Sequence, residues 1–245
     1  MRITSKALFL WLVLILVLPA HATTILVIYS PEAVFIAVDS KVTSTDGKIS
    51  RSDCKIHISE NYIWGTAGLL SETNGPFNMD KLIPKVMGSG PVTTAALDEM
   101  EKQVKSSFNS LIPTLVAQGF NLDNAQINVV IIDKKRLGKF SEIQVTKSRF
   151  ERKDCPSASC AEMGFFAFGE HGKVDSLITE QLLREMLTAP AKTLNYLISQ
   201  QERATPQFVG GKIAILVFDN TGTHWLQDGE CDQDRPKPSP SAPPK

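Results

Sequence analysis

The sequence predicts an α+β fold in which β-sheets are covered by layers of helices. Strand-like segments occur in groups, helix-like segments occur in pairs, and the two kinds alternate along the chain in blocks. Grouped strands pair as antiparallel sheets, whereas a parallel sheet requires a crossover, usually a helix, between its strands. At 245 residues the chain is long enough for one domain with a substantial core and short peripheral segments.

The first block of strands consists of two hairpins. Apolar, β-branched segments at 24–29 and 33–38 flank a short turn containing a proline. A second pair of strand-like segments follows at 55–59 and 62–67. These four segments predict two β-hairpins.

The first helical block is the segment 91–119, in which apolar residues recur every three or four positions. These residues are Leu97, Met100, Val104, Phe108 and Leu111. Pro113 is expected to divide this segment into two helices, because proline lacks the N–H that an interior helical position needs.

Three further strands and a second helix pair complete the predicted fold. Segments 127–133, 141–150 and 164–168 are strand-like, and 175–187 and 191–201 are helical in pattern. A closing hairpin is predicted from two strands that flank Asn-Thr-Gly, at 212–219 and 223–226.

The amino terminus has the three parts of a secretory signal peptide. Two basic residues precede an unbroken apolar run at 7–18, and Pro-Ala-His-Ala follows at 19–22. The run is too short to span a bilayer about 30 Å thick, although an uncleaved membrane anchor remains the alternative. Cleavage after Ala22 would make Thr23 the first residue of an exported protein, periplasmic or extracellular, and leave no membrane segment.

Composition limits the remaining possibilities. The chain is 42% hydrophobic with a formal net charge of +0, so no charge excess argues for a nucleic-acid or membrane-surface partner. From residue 229 the sequence is polar and proline-rich, which predicts a disordered tail at 229–245 after a domain at 23–228.

Four cysteines in an exported chain are compatible with two disulfides. Cys155 and Cys160 are close enough in sequence to close a small loop, which would leave Cys54 and Cys231 to pair. Three connectivities are open, and so are free thiols. Zinc is the competing interpretation, but the histidines are scattered and no Cys-x-x-Cys pair exists, so no metal and no cofactor is predicted.

Thr23 is chemically unusual if it becomes the amino-terminal residue. Its hydroxyl is a weak nucleophile unless a base lies beside it. A free α-amine with a pKa of about 7.7–8.0 can accept the hydroxyl proton, directly or through water. The alternative is that Thr23 only begins a strand, for which threonine is well suited.

Three segments resemble the proteasome β-subunit family of amino-terminal-nucleophile hydrolases. Thr23-Thr24-Ile25 is similar to the mature start of that family, and the segment 37–43 is similar to its second-strand motif, with Asp39 at the acidic position. Cys54-Lys55-Ile56 is similar to the segment that bears its essential lysine. The intervals from Thr23, 16 residues to Asp39 and 32 to Lys55, equal the family spacing.

The resemblance covers nearly all of 23–226 and implies a four-layer αββα sandwich. It implies that Thr23 attacks a peptide carbonyl, that Lys55 is a buried ammonium beside it, and that Asp39 keeps Lys55 charged. It further implies that the main-chain N–H of Gly68, or next Leu69, stabilises the oxyanion in the turn at 65–68.

The chain departs from the family pattern at three positions. Glu170 stands where many members have serine, and Pro206 and Val209 replace an aspartate and a serine. Those side chains support the hydrogen bonds of the nucleophile. Glu170 and His171 could substitute for them, although two solvated turn residues are the simpler interpretation.

The resemblance therefore implies an exported threonine peptidase that forms an acyl-enzyme on Thr23. Its expected partners are peptides or unfolded proteins as substrates and copies of itself in a homo-oligomer, with a ring as one form. Two alternatives are a weak or inactive relative with a structural role in assembly and a hydrolase of non-peptide amides.

Overall fold

The computed structural model describes residues 23–43, 50–69, 77–155, 157 and 163–231. The predicted signal peptide at 1–22 and the tail from 232 onward lie outside these residues. The predicted tail begins at 229, but Gly229 packs against Ala214 and Cys231 is joined to Cys54 by a disulfide. The folded part of the chain therefore extends at least to Cys231.

The first sheet is antiparallel and has five strands in the order β10-β1-β2-β11-β12. Its strands are β1 (Thr24–Tyr29), β2 (Ala33–Asp39), β10 (Gly164–Gly169), β11 (Ile213–Asp219) and β12 (Gly222–Gln227). Strand β1 thus lies inside the sheet, with β10 on one side and β2 on the other. Every residue of β1 is buried, as expected for a central strand made of apolar and β-branched side chains.

The second sheet is also antiparallel and has the order β5-β6-β7-β8-β9. Its strands are β5 (Ile56–Ile58), β6 (Tyr62–Gly68), β7 (Gln126–Asp133), β8 (Phe140–Thr146) and β9 (Phe150–Cys155). A two-stranded ribbon of β3 (Lys41–Thr43) and β4 (Ser50–Ser52) connects the two sheets along the chain.

Five α-helices occur in the described part of the chain. They are α1 (Met79–Met87), α2 (Thr94–Ala117), α3 (Gly172–Asp175), α4 (Glu180–Thr188) and α5 (Pro190–Ala204). A 3₁₀ turn, Leu122–Asn124, leads into β7. Within the described ranges no helix is long and apolar enough to span a membrane.

Pro113 does not divide the first long helix, so that prediction is wrong. Helix α2 continues through Pro113 to Ala117. Leu111 and Leu115, on either side of the proline, are both buried in the same apolar cluster. Burial of this continuous face outweighs the cost of a proline inside a helix, which is roughly 3 kcal/mol.

Three apolar clusters hold these elements together. One packs α1 and α2 against the second sheet, one contains residues of both sheets, and one packs α5 against the first sheet. The α+β class and the antiparallel sheets are therefore confirmed. The predicted strand 141–150 is instead two strands, β8 and β9, and the predicted helix 175–187 is replaced by the separate helices α3 and α4.

Candidate active site

Thr23 lies directly before β1, and the main chain of Glu170 fixes its position. The N–H of Glu170 donates to the carbonyl oxygen of Thr23 at 3.0 Å. The hydroxyl of Thr24 donates in the opposite direction, to the carbonyl oxygen of Glu170. Thr23 is fully buried. The start of β1 is thus held by the turn that follows β10.

Asp39, the last residue of β2, lies beside the start of β1. Its Oδ1 accepts a hydrogen bond from the N–H of Thr24 at 2.7 Å. Its Oδ2 accepts from the N–H groups of Lys41 at 3.1 Å and Gly210 at 3.2 Å. Three main-chain N–H groups therefore fix the orientation of this carboxylate. Asp39 is fully buried, so this charge lies inside the protein.

Lys55 brings the opposite charge to the same carboxylate. Its Nζ lies 3.3 Å from Oδ2 of Asp39 and also donates to the carbonyl oxygen of Lys41. Lys55 is 2% exposed. Burial lowers the pKa of its ammonium below the ordinary value, while the charges of Asp39 and Asp53 oppose that change. The lysine is therefore more easily deprotonated than a surface lysine.

Asp39 thus connects Lys55 to the start of β1, but the hydroxyl of Thr23 is outside this network. Thr23 Oγ1 is buried and has no hydrogen-bond partner among the described residues. Thr23 also has φ of 99°, in the left-handed region that β-branched residues rarely adopt. The structure brings Asp39 and Lys55 together and places Thr23 next to the residue that Asp39 binds.

Gly68 ends β6 with φ of 86°, and a side chain there would meet the carbonyl group of Gln126. Glycine is therefore required by the main chain of β7. The N–H of Leu69 donates to the same Gln126 oxygen at 2.8 Å, so it is already used. A Cβ built on Gly169 would lie 3.0 Å from the Cβ of Ala67 and would overlap the Thr23 carbonyl. The end of β6 therefore lies beside Thr23.

The three departures from the family pattern have identifiable surroundings. Val209 is fully buried in the apolar cluster beneath the first sheet, and the carbonyl oxygen of Pro206 accepts a hydrogen bond from Lys41 Nζ. His171 pairs with Asp175 at 2.8 Å on the surface. Glu170 supports Thr23 through its main chain, as described above.

Gln201 of α5 is a site residue that the sequence did not reveal. It is 1% exposed, and its Oε1 accepts hydrogen bonds from the N–H groups of Lys173 at 2.9 Å and Val174 at 3.3 Å. Its Nε2 lies 3.4 Å from Oε1 of Glu170 and 2.9 Å from Oγ1 of Thr205. Gln201 therefore anchors the turn that holds Thr23. A single glutamine in a polar helix gives no sequence signal of this role.

One of the predicted cysteine pairs is present in the described residues. Cys54, the residue before Lys55, forms a disulfide with Cys231. Cys155 is disulfide-bonded too, and Cys160, its predicted partner, lies outside the described residues. Within the described ranges, no group of three or more histidine, cysteine or acidic residues is arranged to hold a metal ion.

Comparison with known proteins finds solved structures of similar fold but no matching family model or curated sequence. No protein-family model and no curated protein matches the chain. Among solved structures, a Gly-1 mutant of Anbu from Hyphomicrobium sp. strain MC1 superimposes with a TM-score of 0.54 at 14% identity, covering 84% of this chain and 87% of the other. Anbu from Yersinia bercovieri, described as an ancestral β-subunit, gives 0.52 at 11% identity, covering 84% and 87%.

The fold of this chain is similar to that of Anbu. A second crystal form of the Hyphomicrobium protein gives a TM-score of 0.50 at 13% identity, covering 83% of this chain and 87% of that one. Anbu is an ancestral proteasome β-subunit-like protein, so the fold likeness agrees with the resemblance found in the sequence. At such low identity it establishes the fold alone.

Proposed function

We propose that this chain is an exported, proteasome-like threonine peptidase in which Thr23 becomes the nucleophile once residues 1–22 are removed. The observation that supports it best is the buried pair of Asp39 and Lys55, whose carboxylate also binds the N–H next to Thr23. A buried ion pair is a costly arrangement. A catalytic role at the start of β1 would explain why this pair is buried there.

In the proposed reaction, each of these groups has one task. The free α-amine of Thr23 takes the hydroxyl proton as Oγ1 attacks the carbonyl carbon of the substrate. Lys55 stabilises the negative charge that develops nearby, and Asp39 holds Lys55 in place. The amine returns the proton to the leaving amino group, and water then hydrolyses the acyl-enzyme. The N–H of Gly68 is the proposed oxyanion donor, and no cofactor or metal takes part.

The backbone of Thr23 gives the proposal a second support. A φ of 99° at a β-branched residue costs about 1–3 kcal/mol. This torsion involves the carbonyl carbon of Ala22, so it no longer exists after the bond between Ala22 and Thr23 is cut. Cleavage at the predicted site would therefore release strain and create the free amine in one step.

The finer features of the fold and assembly belong to the same proposal. Three apolar clusters, two of them between helices and a sheet and one containing both sheets, are what a four-layer αββα sandwich requires. By likeness to proteasome β-subunit relatives, we propose that the chain forms homo-oligomers, with a ring as one form. The substrates would be short or unfolded peptides, because an exported enzyme has no ATP-driven unfoldase beside it.

A catalytically weak or inactive relative is the second candidate. Thr23 Oγ1 has no hydrogen-bond partner among the described residues, and Val209 is a buried apolar residue at a position where the family has serine. Both observations leave fewer groups to manage the proton. A hydrolase of non-peptide amides would use the same residues and differ only in its substrate.

The test is the intact mass of the exported protein before and after incubation with a peptide epoxyketone, which reacts with both the hydroxyl and the amine of an amino-terminal threonine. We expect the mass of 23–245 and then a single adduct. Thr23→Ala should abolish the adduct and Thr23→Ser should retain it. A retained leader, or a processed protein that never reacts, would favour the inactive relative. A panel of small amides would separate peptidase from amidohydrolase.

A further inference from the structure

Lys55 lies in a segment with little regular secondary structure. It lies between β4 and β5, which have three residues each. In the described part of the chain β4 pairs only with β3, and β5 pairs only with β6 at the edge of the second sheet. The N–H of Asp53 donates to the carbonyl oxygen of Ser40 at 2.8 Å. Short strands at an edge hold a main chain weakly, so the position of Lys55 requires further support.

A covalent bond to the residue before Lys55 supplies that support. Cys54 is joined to Cys231, which is 177 positions away in sequence and 1% exposed. Because Cα atoms of neighbouring residues are 3.8 Å apart, fixing Cys54 also restricts Lys55. The disulfide therefore acts on the residue that the ion pair depends on.

The segment around Cys231 is itself fixed to the first sheet. The N–H of Cys231 donates to the carbonyl oxygen of Asp228 at 2.8 Å. Gly229 packs closely on Ala214 of β11, since a Cβ added to Gly229 would lie 3.0 Å from the Cβ of Ala214. Glu230 pairs with Lys212 at 3.3 Å. The anchor of the disulfide is thus the beginning of β11.

The same corner of the first sheet also positions Asp39. The N–H of Gly210, just before β11, donates to Asp39 Oδ2, and the N–H of Lys212 donates to Ser40 Oγ at 2.9 Å. Asp39 is therefore held to this corner by hydrogen bonds, and Cys54, the residue before Lys55, is held to it by a disulfide. Asp39 and Lys55 therefore pair because the segments that carry them are both attached to the start of β11.

We propose that the Cys54–Cys231 disulfide is a positioning element of the active site, which sets Lys55 against Asp39 only when these cysteines are oxidised. The proposal rests on the proposed function, since the reaction at issue is that of Thr23. It makes reactivity conditional on an oxidising compartment, in agreement with the predicted export.

The chemistry is ordinary thiol–disulfide exchange. On oxidation, the two thiols lose two protons and two electrons to a protein or small-molecule disulfide, which becomes a dithiol. On reduction, a dithiol attacks the sulfur of Cys54, the less buried of the two residues, and the Cys231 thiolate leaves. The second thiol of the reductant then releases Cys54 and closes a new disulfide.

The experiment uses the processed protein with Cys155→Ser and Cys160→Ser, so that Cys54–Cys231 is the one disulfide left. Its second-order rate of Thr23 adduct formation with a peptide epoxyketone is measured from pH 5 to 9, before and after reduction by dithiothreitol and removal of the reductant. Circular dichroism confirms that the reduced sample remains folded. Cys231→Ser in the otherwise native chain is the matched variant.

We expect the oxidised double variant to react within about twofold of the native protein. Reduction, or Cys231→Ser, should slow the reaction at least about tenfold and move the acid limb of the pH profile to higher pH. The reason is that a displaced Lys55 ammonium no longer lowers the pKa of the neighbouring α-amine. An unchanged rate and pH profile in the folded, reduced protein would overturn the proposal.

Amide hydrogen exchange of peptides that cover 53–58 provides a readout that needs no activity. Exchange there should become faster on reduction while β1 and β7 remain protected. If the oxidised protein never forms an adduct, the proposed function fails, and this measurement still decides whether the disulfide holds the Lys55 segment. Equal exchange in both redox states would contradict the positioning role.

Discussion

The N–H of Thr24 donates to Oδ1 of Asp39 at 2.7 Å, so the residue after the candidate nucleophile is held by the same carboxylate that pairs with Lys55. Any movement of that carboxylate would therefore disturb both the start of β1 and the lysine. Because Asp39 is fully buried, water cannot replace the hydrogen bonds that are lost.

Asp39→Asn should therefore strongly reduce both stability and adduct formation. The substitution leaves Lys55 buried without a counter-charge and places an amide N–H₂ among N–H donors. We expect the free energy of unfolding to fall by about 3–5 kcal/mol, as for other broken buried pairs. Adduct formation at Thr23 should fall below detection. Urea denaturation and intact-mass measurements check the two effects.

Asp175→Asn is the matched control, because Asp175 pairs with His171 on the surface. Exposed pairs contribute about 0–1 kcal/mol, so this variant should unfold within that range of the native protein. Equal losses in the two variants would mean that the buried pair has no special role in stability.

Gly68→Ala should destabilise the fold more than an ordinary glycine substitution. The added Cβ would meet the main-chain carbonyl of Gln126 in a left-handed conformation. Gly119, which follows helix α2, also has a positive φ, of 72°, but a Cβ there meets nothing within 4 Å. We expect the free energy of unfolding to fall by about 1–2 kcal/mol for Gly119→Ala and by clearly more for Gly68→Ala. Thermal unfolding of both variants measures the difference, and equal losses would contradict it.

Glu142 should make the protein less stable as pH rises. It is buried on β8, and its Oε2 has no hydrogen-bond partner among the described residues. Burial raises the pKa of Glu142 from 4.5 to about 7, although Lys153 opposes this. Between those values the folded state binds more protons than the unfolded state, so the free energy of unfolding falls with increasing pH.

The loss contributed by Glu142 should be complete near pH 8 and amount to about 3 kcal/mol at most. Glu142→Gln should remove this part of the pH dependence. Urea denaturation at pH 5 and pH 8 tests it, with Glu32→Gln, at an exposed turn, as the control. If Glu142→Gln keeps the full native difference between the two pH values, the carboxyl group is not the cause.

Gln201→Leu should loosen the turn that holds Thr23. It would remove the acceptor of two N–H groups at the start of α3 and the donor to Glu170. We expect the free energy of unfolding to fall by about 2–4 kcal/mol, because buried polar groups are left without hydrogen-bond partners. Gln181→Leu, on the exposed face of α4, should cost less than 1 kcal/mol. Chemical denaturation compares the two, and adduct formation should slow only in Gln201→Leu.

Much of the fold could be predicted because hydrophobic patterning is a local property. The β1–β2 hairpin and the closing β11–β12 hairpin lie close to their predicted positions, since β-branched residues flank turn residues in both. The prediction failed where local signals competed with packing. Pro113 is an example, because the apolar face of α2 continues past it.

The site could be predicted only in part, for a related reason. The spacing of Thr23, Asp39 and Lys55 is visible in the sequence, but their hydrogen bonds are not. Gln201 gives no signal, because its partners in the turn are 27 to 31 residues away and depend on how α5 packs beneath that turn. The sequence favours a solvated turn residue at His171 over a support for the nucleophile, and in the structure its side chain pairs with Asp175 on the surface.

The α+β class and the order of most strands and helices follow from the sequence, because periodicity and turn composition are properties of short segments. The resemblance to the proteasome β-subunit family is what makes Thr23, Asp39 and Lys55 candidate site residues. The tertiary structure was needed to show that Asp39 binds both Lys55 and the N–H of Thr24, and that Cys54 is joined to Cys231. Those contacts join residues 15 to 177 positions apart, because the pairing of β1 with β2 places Thr24 beside Asp39 and the folded chain brings the segment of Cys54 and Lys55 to the same place.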